Sequence, residues 1–185
     1  MSMPSIDLTC EKCQFKGSTR RTWGRYSYLD GRYKYPVDRE LGWCYSCSDF
    51  APIERFDADK AYDEASDCLR HINRLNNQTK FVVFKKNNKE LIKHYQEKLE
   101  DAIFQQYQAS RRKDTERCLT CGSDHVEPFD GDYELEYSNL QYRGSKRTGF
   151  LHPGCGGEFI ATPNPVRLNV AFDERIYDVE GACLN

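Results

Sequence analysis

Cys10-Glu11-Lys12-Cys13 and Cys44-Tyr45-Ser46-Cys47 share one spacing, with 30 residues between Cys13 and Cys44. The pattern returns at Cys118-Leu119-Thr120-Cys121 and His152-Pro153-Gly154-Cys155, again with 30 residues between Cys121 and His152. Zinc takes four thiolate or imidazole donors in a tetrahedron, and a pair two residues apart offers two of them from one tight turn. Read as consecutive brackets, Cys10, Cys13, Cys44 and Cys47 form a four-cysteine site. Cys118, Cys121, His152 and Cys155 then form a site of three cysteines and one histidine. Each set is complete, so the reading expects two structural zinc ions per chain, with no coordination position left for a substrate.

The composition gives such sites a reason. Of 185 residues, 38% are hydrophobic and 30% charged, and the mean hydropathy is −0.82, so the apolar core is lean. Small units with little to bury recruit metals, whose binding free energy becomes folding free energy. Nine cysteines with no secretion-like start and no membrane-length apolar run fit a reducing, cytoplasmic setting, where thiolate–metal sites prevail over disulfides. Net charge is −2 but uneven: residues 10–47 carry eight Lys and Arg against four Asp and Glu, and residues 118–185 five against eleven. A basic N-terminal part faces an acidic C-terminal one.

Inside the first bracket, Trp23–Tyr35 alternates residue types around Asp30-Gly31. With those two residues in a type I′ turn, Tyr28 faces Tyr33 and Tyr26 faces Tyr35, while Arg25, Arg32 and Lys34 gather on the other face. Residues 57–76 change to three- and four-residue steps through Ala58, Ala61, Tyr62, Ala65, Cys68, Leu69, Ile72 and Leu75, the stripe of an amphipathic helix with Asp57 as N-cap. After the apolar run Phe81–Phe84, a second helix is expected from Asn87, with Glu90 closing a capping box and an inner stripe from Leu91 to Gln106. Its basic end, Arg111-Arg112-Lys113, suits the negative pole of the helix dipole. Beyond it, strands are expected at Tyr133–Tyr137 and Leu140–Tyr142, an exposed loop at Gly144–Gly149, and a final hairpin from Val166 to Val179.

The facing knuckles resemble the zinc ribbon family, over roughly residues 8–50 and 116–161. Cys121-Gly122 and Cys155-Gly156 match the family habit of a glycine after the second ligand, whereas Cys13-Gln14 and Cys47-Ser48 depart from it. The resulting expectation is an α+β protein in which two small antiparallel zinc ribbon-like units flank a two-helix hairpin, with a C-terminal β-hairpin packed on the second unit. The divisions fall at 1–52, 53–115 and 116–185.

Other motifs point to no chemistry. His125 competes with His152 as a ligand, but only His152 forms a knuckle with Cys155. Cys68 and His71 have nucleophile–base spacing, yet Cys68 lies on the apolar stripe and reads as an inert thiol. Cys183 reads as a free thiol near the C-terminus. The chain holds neither His-Glu-x-x-His nor a Walker-type phosphate loop. The functional lead is the basic hairpin: Arg20, Arg21, Arg25, Arg32 and Lys34, interleaved with Trp23 and tyrosines, offer phosphate-neutralising charge beside stacking surfaces. Resemblance to zinc ribbons favours nucleic acid as the partner. The reading is thus a non-catalytic binding protein with no small-molecule substrate and no membrane contact, its acidic C-terminal part meeting a protein partner. The alternative is an adaptor that binds protein alone.

Overall fold

In the computed structural model, residues 4–78, 85–113, 115–166 and 172–185 are described. Along the chain run β1 (Ile6–Cys10), β2 (Lys16–Ser18), a 3-10 turn (Thr19–Thr22), β3 (Arg25–Asp30), β4 (Tyr33–Pro36), β5 (Arg39–Cys44) and β6 (Asp49–Glu54). Two helices follow, α1 (Ala58–Gln78) and α2 (Lys85–Arg112). Then come β7 (Val126–Pro128), β8 (Glu136–Ser138), β9 (Gln141–Arg143), β10 (Lys146–Leu151), β11 (Glu158–Pro163) and β12 (Glu174–Tyr177). The class is α+β, as the sequence predicts.

β1 crosses the whole chain to find its partner. It lies between β11 and β2 in a sheet of order β10-β11-β1-β2, with Leu8 opposite Ala161 and Cys10 opposite Phe159. Ile6, Leu8 and Cys10 are buried while Asp7 and Thr9 alternate outward, so one face of this sheet is apolar. That face meets a second sheet, β6-β5-β7, through Trp43 and Phe50. The Phe50 ring lies 4.8 Å from Phe159 and 5.4 Å from Phe129. Four consecutive residues of β5, Leu41 to Cys44, are buried, as befits a central strand covered on both sides. The divisions at 52 and 115 therefore do not part the sheets: residues 1–52 and 116–185 are interleaved.

The third sheet, β12-β3-β4, holds the tyrosine hairpin. Its register differs from the sequence expectation by two residues: Tyr28 faces Tyr35 and Asp30 faces Tyr33. The turn residues are Gly31 and Arg32, with Gly31 at φ 60°, so the glycine takes the first central position and not the second. A shift of two preserves the faces, but Tyr26 and Tyr28 are buried, so they do not offer the stacking surfaces expected of the hairpin tyrosines. β12 lies not on the second unit but in the third sheet, where it adds to β3 in parallel, with Ile176 beside Ser27. Tyr177 explains the choice, since it is buried against Tyr26 and donates its hydroxyl to the Leu119 carbonyl at 2.5 Å. Most of the other expected strand of that hairpin, residues 167–171, lies outside the described residues.

Two local expectations also change. Lys146–Leu151 is a strand and not part of an exposed loop, because Thr148 and Phe150 are buried against β11. The β8–β9 turn falls on Asn139 and Leu140, both at positive φ, as a type I′ turn requires.

Asp57 caps α1 as read, its Oδ1 accepting from the Lys60 N–H at 2.9 Å. The buried stripe of α1 is narrower than the periodicity suggests: Ala61, Ala65, Cys68 and Leu75 are inside, whereas Tyr62 and Leu69 face solvent. α2 begins at Lys85, two residues before the expected start, and the run Phe81–Phe84 lies outside the described residues. On α2, Ala102 and Phe104 are buried and Ile103 is exposed. Phe104 stacks on Tyr35 at 3.9 Å between ring centres, which joins the helix to the third sheet. The helix end is anchored by charge. Arg112 grips buried Glu54 at 2.6 and 3.2 Å, and the Tyr28 hydroxyl donates to the same carboxylate at 2.6 Å. Arg112 therefore does more than meet a helix dipole.

Candidate metal centres and a basic cleft

The strand pairing decides which knuckles meet. Cys10-Cys13 follows β1, and His152-Cys155 joins β10 to β11, so the β1–β11 ladder brings these two knuckles to one end of the first sheet. Cys44-Cys47 joins β5 to β6. Cys118 bridges to Ile53 of β6, and β7, just beyond Cys121, pairs with β5. The two ligand groups are accordingly Cys10, Cys13, His152 and Cys155, and Cys44, Cys47, Cys118 and Cys121, with donor atoms in each within 4.8 Å of one another. This corrects the bracket reading. The eight residues are the same, but the first knuckle pairs with the last and the two middle ones pair together. Residues 10, 13, 44 and 47 do not form one site.

Both groups can hold a metal ion. With zinc–sulfur bonds of about 2.3 Å, tetrahedral sulfurs stand about 3.8 Å apart. The Sγ atoms of Cys10 and Cys155 are 3.4 Å apart, those of Cys44 and Cys121 3.5 Å, and those of Cys47 and Cys118 3.9 Å. In the mixed group the His152 donor is Nδ1, 3.3 Å from the Cys13 sulfur and 3.2 Å from that of Cys155. The imidazole is aimed by aromatic neighbours, Phe15 at 4.9 Å and Trp43 at 5.1 Å, and burial holds its pKa below the ordinary histidine value. A neutral imidazole is the form that ligates.

The knuckle backbone fits this role. Gly122 and Gly156 have φ of 77° and 67°, and Ser48 adopts the same left-handed region at 49° although it has a side chain. The amide of Cys47 donates to the Cys44 sulfur at 3.4 Å, and that of Thr120 to the Cys118 sulfur at 3.4 Å. In the four-cysteine group, burial lifts the Cys118 thiol to about 11 and drives Cys47 higher still. Held as thiolates, these four sulfurs would require a cation among them.

A cleft of about 660 Å³ opens on the far side of the first sheet. Its floor is the outward row Ser18, Asp7 and Thr162, which the register places side by side, with Lys16 beside Thr9 one step along. Arg20, Arg21 and Trp23 form one wall, and Phe172 meets the Trp23 ring edge-on at 6.3 Å. The Asp7 carboxylate accepts both of its contacts from the Asn164 amide at 2.8 Å. Arg21 also pairs with Asp49 at the rim, and Arg20 Nε donates to the Ser18 hydroxyl at 3.2 Å. Lys16 has no ion-pair partner among the described residues.

No family model, curated protein or solved structure matches this chain.

The five basic residues singled out in the sequence thus divide. Arg20 and Arg21 share the cleft. Arg25 and Lys34 lie on the outer face of the third sheet beside Glu174, whose carboxyl Lys34 and Ser27 hold below its ordinary range; Arg32 occupies the hairpin turn. Lys16 and Phe172 escaped sequence reading because only the sheet register and the C-terminal segment bring them beside Arg20. His125 belongs to neither ligand group; it is exposed and stacks on Tyr45 at 4.3 Å. Cys68 is buried and its thiol pushed up by burial, while the His71 ring stacks flat on Tyr95 at 4.6 Å. Cys183 is exposed. Among the described residues no helix is long and apolar enough to cross a membrane.

Proposed function

We propose that this chain is a non-catalytic, zinc-stabilised cytoplasmic protein that binds nucleic acid through its basic aromatic N-terminal surface. The gathering of Lys16, Arg20, Arg21 and Trp23 around one cleft carries this reading. Cationic side chains beside an aromatic ring suit a polyanion with π-faces. Both ligand groups supply four protein donors, so a metal held there is closed to substrate and acts structurally. The paired knuckles at sheet ends resemble zinc ribbons, which favours the same partner.

Lys16 and Arg20 take the leading role, because Lys34 is already engaged by Glu174 and Arg21 by Asp49. The test is binding against salt concentration. Each lost phosphate contact lowers the log–log salt slope by about 0.7 for single strands and 0.9 for duplex. Alanine at Lys16, Arg20 and Arg21 together should flatten the slope more than alanine at Arg25, Arg32 and Lys34. Wild-type protein that binds neither DNA nor RNA at low salt would sink the proposal.

The adaptor reading draws on a different observation. Ile103 and Tyr107, one turn apart on α2, are 53% and 50% exposed beside Tyr35, an apolar strip suited to a protein partner. It takes over if nucleic acid is not bound.

A further inference from the structure

Resting on that reading, we infer that the cleft takes an unpaired strand, with a base lodged inward against Trp23 and Phe172 and the phosphates held at the rim. The shape argues first. The cleft is a recess of about 660 Å³, the scale of a small-ligand pocket, and a duplex offers no single protruding group to fill it. A splayed nucleotide does.

The lining then sets the orientation. Asp7 stands in the middle of the floor with a carboxylate that would repel a phosphate, whereas a base edge bears N–H donors that a carboxylate accepts. Thr162, on one side of it, adds a hydroxyl of either polarity, while that of Ser18, on the other, is engaged by the Ile6 carbonyl and Arg20. Positive charge is exposed at the cleft in Lys16 and Arg21, where the backbone of an inward-turned nucleotide passes, and Arg20 reaches in to the Ser18 hydroxyl. The Trp23 indole and Phe172 ring meet edge to face, so each leaves ring surface free for stacking.

The experiment compares a single-stranded oligonucleotide, its duplex, and an abasic single strand of equal length, by fluorescence anisotropy at low salt with the metal-loaded full chain. The single strand should bind at least tenfold more tightly than either of the others. Trp23→Ala should weaken single-strand binding about 5- to 150-fold, the loss of one stacked base, and leave abasic binding unchanged. Trp23→Phe should retain most of the affinity. Should Trp23→Ala fail to fold, the contact is read from tryptophan emission. The chain has two tryptophans and Trp43 is buried, so quenching by the strand must vanish in Trp23→Phe. Equal binding of all three ligands would overturn the base-in inference while leaving nucleic-acid binding intact. Binding of none would overturn the underlying reading itself.

Discussion

The sulfur of Cys10 stands 3.4 Å from that of Cys155, across 145 residues of chain. This contact joins the first knuckle to the last, and it separates two pairings that elemental analysis can tell apart. Cys13→Ser with Cys155→Ser should remove one metal and spare the other, since both variants fall in one ligand group. Cys13→Ser with Cys47→Ser should remove both. Pairing of consecutive knuckles gives the reverse pattern.

Gly157→Ala should loosen the mixed group alone. An added Cβ would lie 2.6 Å from the Cys10 sulfur and 2.8 Å from the Lys12 Cβ, so the first knuckle must move. Gly122→Ala meets no neighbour, but at φ 77° it costs about 1–2 kcal/mol in the knuckle of the four-cysteine group. Rates of metal transfer to a chelator should rise at one group in each variant.

Arg112→Met should destabilise the fold by about 3–5 kcal/mol, because it strands the Glu54 carboxylate in the interior. Tyr28→Phe removes one hydrogen bond to that carboxylate and should cost about 1.5–3 kcal/mol. Adding Glu54→Leu to Arg112→Met should recover part of the loss. Urea denaturation of metal-loaded protein reads all three.

Acid should release metal from both groups, because protons compete with it for every sulfur and for His152. Burial raises Cys47 and Cys118, the latter to about 11, so protons compete with the metal for these sulfurs even at neutral pH. Each group mixes raised and lowered ligands: Cys121 lies below the ordinary thiol value beside raised Cys47 and Cys118, and Cys155 lies above it beside lowered Cys10 and His152. A ligand with a lowered pKa loses to protons only at lower pH. Metal retention measured against pH in variants lacking one group or the other should fall with acid at both.

The ligand residues and the α+β class were legible because they rest on local patterns: two donors in one turn, a Tyr-rich alternation, Asp57 ahead of a three-four stripe. The pairing of knuckles was not, since equal 30-residue gaps fit more than one connection and the decision lies in a ladder between chain ends. The Glu54–Arg112 pair was hidden for the same reason, because each residue alone reads as a surface charge. The hairpin register was missed more narrowly. Asp30-Gly31 promises a turn, but glycine can serve as either central residue, and a two-residue shift keeps the same faces, so the burial pattern does not choose between the registers. On the helices, Tyr62 and Leu69 kept the period of a buried stripe, yet the small residues Ala61 and Ala65 set the buried face.

β1 is made early and completed late. At roughly 5–20 residues per second, a ribosome needs on the order of 7–30 s between Cys10 and Cys155. Throughout that interval β1 has β2 but not β11 beside it, and the thiols of the first knuckle lack His152 and Cys155. The Cys44-Cys47 and Cys118-Cys121 group closes sooner, within a shorter loop nested inside the longer one. The newborn chain is thus exposed at Cys10 and Cys13 to oxidation and to stray metal, until His152 and Cys155 arrive to complete the group.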